Sequence, residues 1–262
     1  MNKVCLITGG TSGIGLSTVK TMLGAGYTVY EFSRRAEGVT GTNHFSVDIT
    51  DENAVQSAVQ KIYDAEGRLD VVINCAGCGI SGAIEFTKSE DAHFQFDVNF
   101  FGMVNINKAV LGIMRRQGYG RIVNTSSVAA PIAIPFQAYY SATKSAINTY
   151  TLALANEVRP YGVTVCAVQP GDIKTGFTAA RRKSNDGDDE YCGRISKSVA
   201  VMEHDEQNGM SPDAAGAFIG RIAQKKRVKA IYTIGFKYKL FCVIAKLLPT
   251  TLVNFLVGKI YA

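Results

Sequence analysis

Lys3-Val4-Cys5-Leu6-Ile7-Thr8-Gly9-Gly10-Thr11-Ser12-Gly13-Ile14-Gly15 is the stretch that decides the fold. An apolar run rich in β-formers ends in a glycine turn, and the apolar helical pattern of residues 14–23 begins at once. Gly9, Gly13 and Gly15 form a G-x-x-x-G-x-G pattern. A pyrophosphate needs backbone N–H groups at a helix N-terminus and no Cβ blocking its approach, and glycines at a strand-to-helix turn supply both. Gly9, Thr11, Ser12, Gly13, Ile14 and Gly15 are therefore candidate phosphate-binding positions.

The same alternation continues outward. Strand patterns cover residues 4–8, 28–33, 44–47, 71–74, 121–125, 163–168 and 230–233, and helical patterns cover 14–23, 52–66, 92–117, 140–158 and 212–225. Alternating strands and helices predict an α/β fold, a doubly wound parallel sheet of Rossmann-like type covered on both faces. No linker or repeat divides the chain, so one domain is expected. It comprises a nucleotide-binding and catalytic part, 1–234, and a C-terminal helical extension, 235–262. Two regions break the pattern. Residues 181–190 are a block of charge that reads as solvated and mobile, in a place where a lid could sit. The other is the extension.

Charge is distributed unevenly. The 262 residues carry a net charge of +6, yet residues 221–262 hold nine basic side chains and no acidic one. The longest uncharged run there, residues 247–258, contains Pro249 and is shorter than the ~20 apolar residues that span a bilayer. Three readings of the extension remain: cover for a substrate mouth, an oligomer contact, or peripheral contact with an anionic membrane surface. The basic residues are not interleaved with a nucleic-acid-binding module, and no nucleic-acid partner is expected. The amino-terminal apolar run is too short for a signal peptide, which predicts a cytoplasmic protein. Six cysteines in such a chain are expected as thiols. Cys75-Ala76-Gly77-Cys78 reads C-x-x-C, but no second ligand pair accompanies it, so no metal site is expected.

At the end of the second strand pattern, Ser33, Arg34 and Arg35 stand where a dinucleotide fold meets the adenosine ribose. Arginine there accommodates a 2′-phosphate, whereas a carboxylate would bond the 2′-hydroxyl. This favours NADP(H). Glu31, on the same strand face as Ser33, is the feature an NAD(H) preference would use. Asp48 and Ile49 are placed to contact adenine, and Asn74, Ala76 and Gly77 to line the floor beneath it. Further along, Tyr140 and Lys144 are spaced i, i+4 on one helix face. A nearby ammonium is expected to lower the phenol from its ordinary pKa of about 10, as a general acid/base requires. Ser127 lies at a strand end, where it could polarise a carbonyl.

Taken jointly and in this order, the glycine turn, Asn-x-Ala-Gly, Ser, Tyr-x-x-x-Lys and Pro170-Gly171 resemble the single-domain short-chain dehydrogenase/reductase family, from residue 3 to about 233. Cys75 departs from the second asparagine of the family's N-N-A-G motif. The resemblance implies that Asn99 holds a water of the proton relay and that Ser127, thirteen residues before Tyr140, is the catalytic serine. It makes Tyr140 the acid/base and Lys144 its assistant and ribose ligand, with Pro170, Gly171, Ile173 and Thr175 against the nicotinamide. It implies a homo-oligomer built on the helices of residues 92–117 and 140–158. Residues 77–85 and 127–136 are similar to hydroxysteroid-dehydrogenase members. That implies a pocket of Cys78, Ile80, Ala129, Ile134, Tyr139, Gln169 and Phe177, and a steroid or bile-acid alcohol/ketone pair as substrate. A keto-lipid such as an acyl ketone phosphate is the alternative substrate, and a non-catalytic NADP(H) sensor the alternative of another class.

Overall fold

The computed structural model describes residues 2–261. Its core is a seven-stranded, wholly parallel sheet. The strands are β1 (Val4–Thr8), β2 (Thr28–Ser33), β3 (Asn43–Ser46), β4 (Val71–Asn74), β6 (Gly120–Thr125), β7 (Val163–Gln169) and β9 (Ile231–Thr233), in spatial order β3-β2-β1-β4-β6-β7-β9. Every residue of β1 is buried, because it lies inside the sheet with helices on both faces. Alternation sorts its side chains: Val4 and Leu6 pack with Phe32, Ile106 and Ile122 on one face, while Cys5 and Ile7 pack with Val19, Met22 and Ile219 on the other. Each such aliphatic side chain contributes about 1.5–3 kcal/mol on leaving water.

The first face carries α2 (Glu52–Glu66), α4 (Gly102–Gln117) and α5 (Ala138–Val158), and the second carries α1 (Gly13–Gly24) and α8 (Pro212–Gln224). Local chemistry sets the ends: the Asp51 carboxylate accepts from the Ala54 N–H (3.0 Å) to start α2, and left-handed Gly67 stops it. From β1 the chain moves to β2 and β3 on one side, then returns to place β4 on β1's other side. The strand order thus reverses between β1 and β4, which opens a crevice at their carboxyl ends. The glycine turn leaves β1 there, and Cys75-Ala76-Gly77 leaves β4 beside it.

Three sequence expectations change. The single helix over residues 92–117 is broken into α3 (Ser89–Phe96), a π-helical turn (Asp97–Phe101) and α4. The charged block is not simply solvated. Arg181 is buried, and Arg182–Lys183 form β8, paired with β5 (Ile80–Ser81). The Asp188 carboxylate accepts from the N–H groups of Ile195 (2.9 Å) and Ser196 (3.1 Å), at the start of α7 (Arg194–Gln207). Helix α7 was missed, although Ile195, Val199 and Met202 carry its i, i+4, i+7 stripe. A short helix, α6 (Phe177–Ala180), precedes this block, and after β9 the chain forms α9 (Phe236–Leu247) and α10 (Thr250–Tyr261).

Candidate active site

A cleft of about 400 Å³ opens at the crevice, with the glycine turn at one end and Tyr140 at the other. Gly9 has φ +67° and donates its N–H to the Phe32 carbonyl (2.8 Å); a Cβ on it would lie 2.8 Å from Ala76 Cα. A Cβ on Gly15 would lie 2.1 Å from the Gly9 oxygen. The turn therefore tolerates side chains at neither place. Ser12 caps α1 without a side-chain bond, and Ser12, Gly13, Ile14 and Gly15 all line the cleft. The Thr8 hydroxyl accepts from the Cys75 and Ala76 N–H groups (both 3.2 Å) and joins the two loops.

Glu31 stands differently from the sequence reading. It is fully buried and does not line the cleft. One carboxylate oxygen accepts from the Gly10 N–H (3.0 Å) and the other lies 2.6 Å from His44 Nδ1. His44 Nε2 lies 2.9 Å from the Arg35 carbonyl oxygen. This carboxylate braces the glycine turn from beneath, and His44 ties the same group to the chain that presents Arg35. Arg35 lines the cleft, while Arg34 is exposed and does not. Thr11, Ser33, Asp48, Ile49 and Asn74 also fall outside its wall. Asp48 is occupied by Thr50 (2.9 and 2.8 Å), Ile49 is in the core, and Asn74 donates to Asn107 and Asn124 (both 2.9 Å).

At the other end, Ser127, Tyr140 and Lys144 share the cleft with Ala76, Gly77, Pro170, Gly171, Ile173 and Thr175. The Ser127 hydroxyl hydrogen-bonds Tyr140, whereas Ser126 donates to the Lys144 carbonyl (3.0 Å), so only Ser127 serves the phenol. Lys144 Nζ donates to the Thr125 carbonyl (3.0 Å) and stands 5.5 Å from the Tyr140 ring centroid. The expected lowering of the tyrosine is not what this geometry gives. Burial pushes Tyr140 up to about 12, opposed by the Ser127 bond, while burial pulls Lys144 down to about 8. Desolvation outweighs the Ser127 bond and the Arg181 cation, leaving Tyr140 a protonated donor. Asn99 lies in the π turn; its Oδ1 accepts from the Cys78 N–H (2.8 Å) and its Nδ2 donates to the Cys78 carbonyl (3.0 Å). Its amide therefore fixes the loop after β4. All six cysteines are thiols, and burial raises both Cys75 and Cys78.

Of the substrate-wall expectations, Ala129, Ile134 and Phe177 line the cleft. Cys78, Ile80, Tyr139 and Gln169 do not. The Cys78 backbone is held by Asn99, Ile80 is buried in β5, and Gln169 Oε1 accepts from the Thr233 hydroxyl (3.1 Å). Tyr139 is one residue off Tyr140 and so points elsewhere on α5. Among the wall residues that sequence reasoning missed are Gln137, Met202, Glu206 and Tyr261. Glu206, on α7, is paired with buried Arg181 and accepts from the Thr178 hydroxyl (2.6 Å). Glu206 and Arg181 both act electrostatically on Tyr140. Finding α7's apolar stripe would have brought Glu206 into view.

Residues 3–186 match the short chain dehydrogenase family. A 3-ketodihydrosphingosine reductase of Bacteroides thetaiotaomicron is 41% identical over 227 residues, covering 86% of this chain and 84% of that protein. Among solved structures, a short-chain dehydrogenase from Streptomyces avermitilis superposes with a TM-score of 0.83 at 28% identity, covering 94% of this chain and 95% of the other. The structure of ElxO with NADP bound superposes at 0.78, also 28% identical, over 92% of this chain and 100% of the other. With this match, this fold and a serine, tyrosine and lysine gathered in the crevice, the chain belongs to the short-chain dehydrogenase family of oxidoreductases.

Proposed function

We propose that this protein is an NADP(H)-dependent reductase of a long-chain lipid ketone. The observation that carries the reading is the gathering of Ser127, Tyr140 and Lys144 at one end of a cleft whose other end is the glycine turn. A dinucleotide suits that turn on the protein's own geometry: Gly9 and Gly15 admit no Cβ, and the N-terminal residues of α1 form the wall. Gly9, Ser12, Gly13 and Ile14 would hold the pyrophosphate, Arg35 the 2′-phosphate, and Pro170, Gly171, Ile173 and Thr175 the nicotinamide side. NADP bound to ElxO supports that choice, as does the capture of Glu31 by Gly10 and His44. Arg34, exposed beside Arg35, would share the 2′-phosphate.

When bound, the reduced cofactor supplies a hydride to the carbonyl carbon. The protein's residues do the rest. Ser127 donates a hydrogen bond to the carbonyl oxygen, and Tyr140 passes its phenolic proton to that oxygen as negative charge develops there. The Lys144 ammonium favours the phenolate left behind. Asn99 acts by holding the Cys78 backbone beside them. A tyrosine raised to about 12 suits the reductive direction, because it starts protonated at neutral pH.

The sequence reading placed a steroid or bile acid first; two observations favour the keto-lipid. One is the 41% identical reductase, whose name specifies a sphingoid ketone. The other is Glu206. Apolar walls from Ala129, Ile134, Phe177 and Met202 suit either substrate, but a carboxylate fixed by Arg181 and Thr178 suits a cationic group near the ketone. A 2-amino-3-ketone carries one. Activity measured on 3-ketodihydrosphingosine, a long-chain ketone without the amine and a panel of ketosteroids tests this. The amino ketone should lead, and Glu206→Gln should raise its KM about tenfold more than that of the plain ketone, over the loss common to both from unpairing Arg181 and changing the field at Tyr140. Ketosteroids leading the panel, or equal losses on both ketones, would reject the assignment.

A further inference from the structure

Among the described residues, ten of the fifteen large hydrophobic side chains that are exposed belong to α9 and α10. In α9, Phe236, Leu240 and Leu247 lie on one stripe of the helix and are 83%, 51% and 78% exposed. The other side of α9 is tied down: Cys242 is buried, the Tyr238 hydroxyl donates to Asp172, and the Tyr238 ring lies against Gly171, where a Cβ would meet it at 2.4 Å. In α10, Leu252, Phe255 and Ile260 face outward, while Val257 is buried and the helix packs on α7. Both helices are thus docked by one face and present a second apolar face to the outside. The cations accompany it: Lys237, Lys239, Lys246 and Lys259 are exposed, and no acidic residue occurs beyond residue 220.

We propose that the α9–α10 pair is a docking surface for an anionic lipid bilayer. Neither helix is long enough to cross a bilayer, and each is an apolar stripe bordered by lysines, the pattern of a helix that lies in the headgroup region. Each lysine near a negatively charged leaflet adds attraction that salt screens. A second copy of the chain fits less well, since two such faces would bring like charges together with no carboxylate to answer them. Position adds to the argument. Tyr261, the last described residue of α10, lines the cleft, and Tyr238 of α9 rests on the Gly171-Asp172 edge of it. A bilayer under these helices would lie at the substrate entrance. That delivery route rests on the lipid-ketone reading; the docking does not.

Sedimentation of the full-length protein with phosphatidylglycerol/phosphatidylcholine vesicles, and with phosphatidylcholine alone, tests it. Binding should be strong on the anionic vesicles, weak on the neutral ones, and several-fold weaker in high salt. The double variant Leu247→Glu/Phe255→Glu should lose at least tenfold in vesicle binding while keeping NADPH affinity and turnover of a short, water-soluble ketone. Lys237→Gln/Lys246→Gln keeps the apolar face intact and should weaken only the anionic binding. Absence of sedimentation by the intact protein, or undiminished binding by the Glu variant, would overturn the proposal. So would light scattering showing that the Glu variant falls from a larger oligomer to a smaller one, because a second copy would then be what covers the face. Vesicle binding with no activity on any lipid ketone would uphold the docking and reject only the substrate reading.

Discussion

Tyr140 and Lys144 stand one helical turn apart, and burial acts on them in opposite senses: the phenol is pushed to about 12 and the ammonium pulled to about 8. For a base such as lysine a lowered pKa means that the charge disappears sooner as pH rises. The ammonium is present below about pH 8 and lost above it, while Tyr140 stays protonated throughout that range. Reductase kcat should therefore hold from pH 6 to about 7.5 and fall above pH 8. In Lys144→Arg, whose cation does not titrate there, the fall should disappear even if the overall rate is lower. A decline in that variant at the same pH would assign the titration to another group. The spacing of Tyr140 and Lys144 was legible in the sequence. The direction of the tyrosine's shift was not, because desolvation depends on what Phe177, Ser127 and α7 do around the ring, and only the folded chain brings these together.

At the level of elements, the site depends on turns whose shape admits no substitute. Gly15 opens α1 so close to Gly9 that a methyl group would sit 2.1 Å from the Gly9 oxygen. Gly15→Ala must displace the turn that Glu31 braces at Gly10, and titration of the variant with NADPH should show at least a tenfold rise in Kd. An unchanged Kd would mean that the turn does not hold the cofactor. The central strands β1 and β4 were readable because both-face burial makes them short apolar runs, and the glycine turn because its spacing falls directly between a strand and a helix. Elements whose apolar stripe is thin or set among charges escaped: α7 behind the 181–190 block, and the two-stranded β5–β8 pair, which long-range pairing alone defines. The cost was Glu206 and Arg181. Arg181 looks solvated in sequence and is buried in fact.

For the molecule as a whole, the fold divides the labour along the chain. The sheet's point of reversal sets the cofactor end, α5 sets the acid and its lysine, and three helices after β7, α6, α7 and α10, contribute to the wall of the cleft. The net charge of +6 belongs to that last third: it is concentrated in the residues that lead into and form α9 and α10, beside exposed apolar side chains. The central claim is narrower than the substrate or the membrane: Tyr140, in this cleft, protonates a ketone as NADPH reduces it. Stopped-flow oxidation of NADPH with 3-ketodihydrosphingosine, comparing the native protein with Tyr140→Phe, tests it most directly. Turnover should fall by about 10²–10⁴-fold in the variant, the range set by losing a general acid, with NADPH affinity changed less than threefold. Turnover within tenfold of the native rate, with the cofactor still bound, would contradict it.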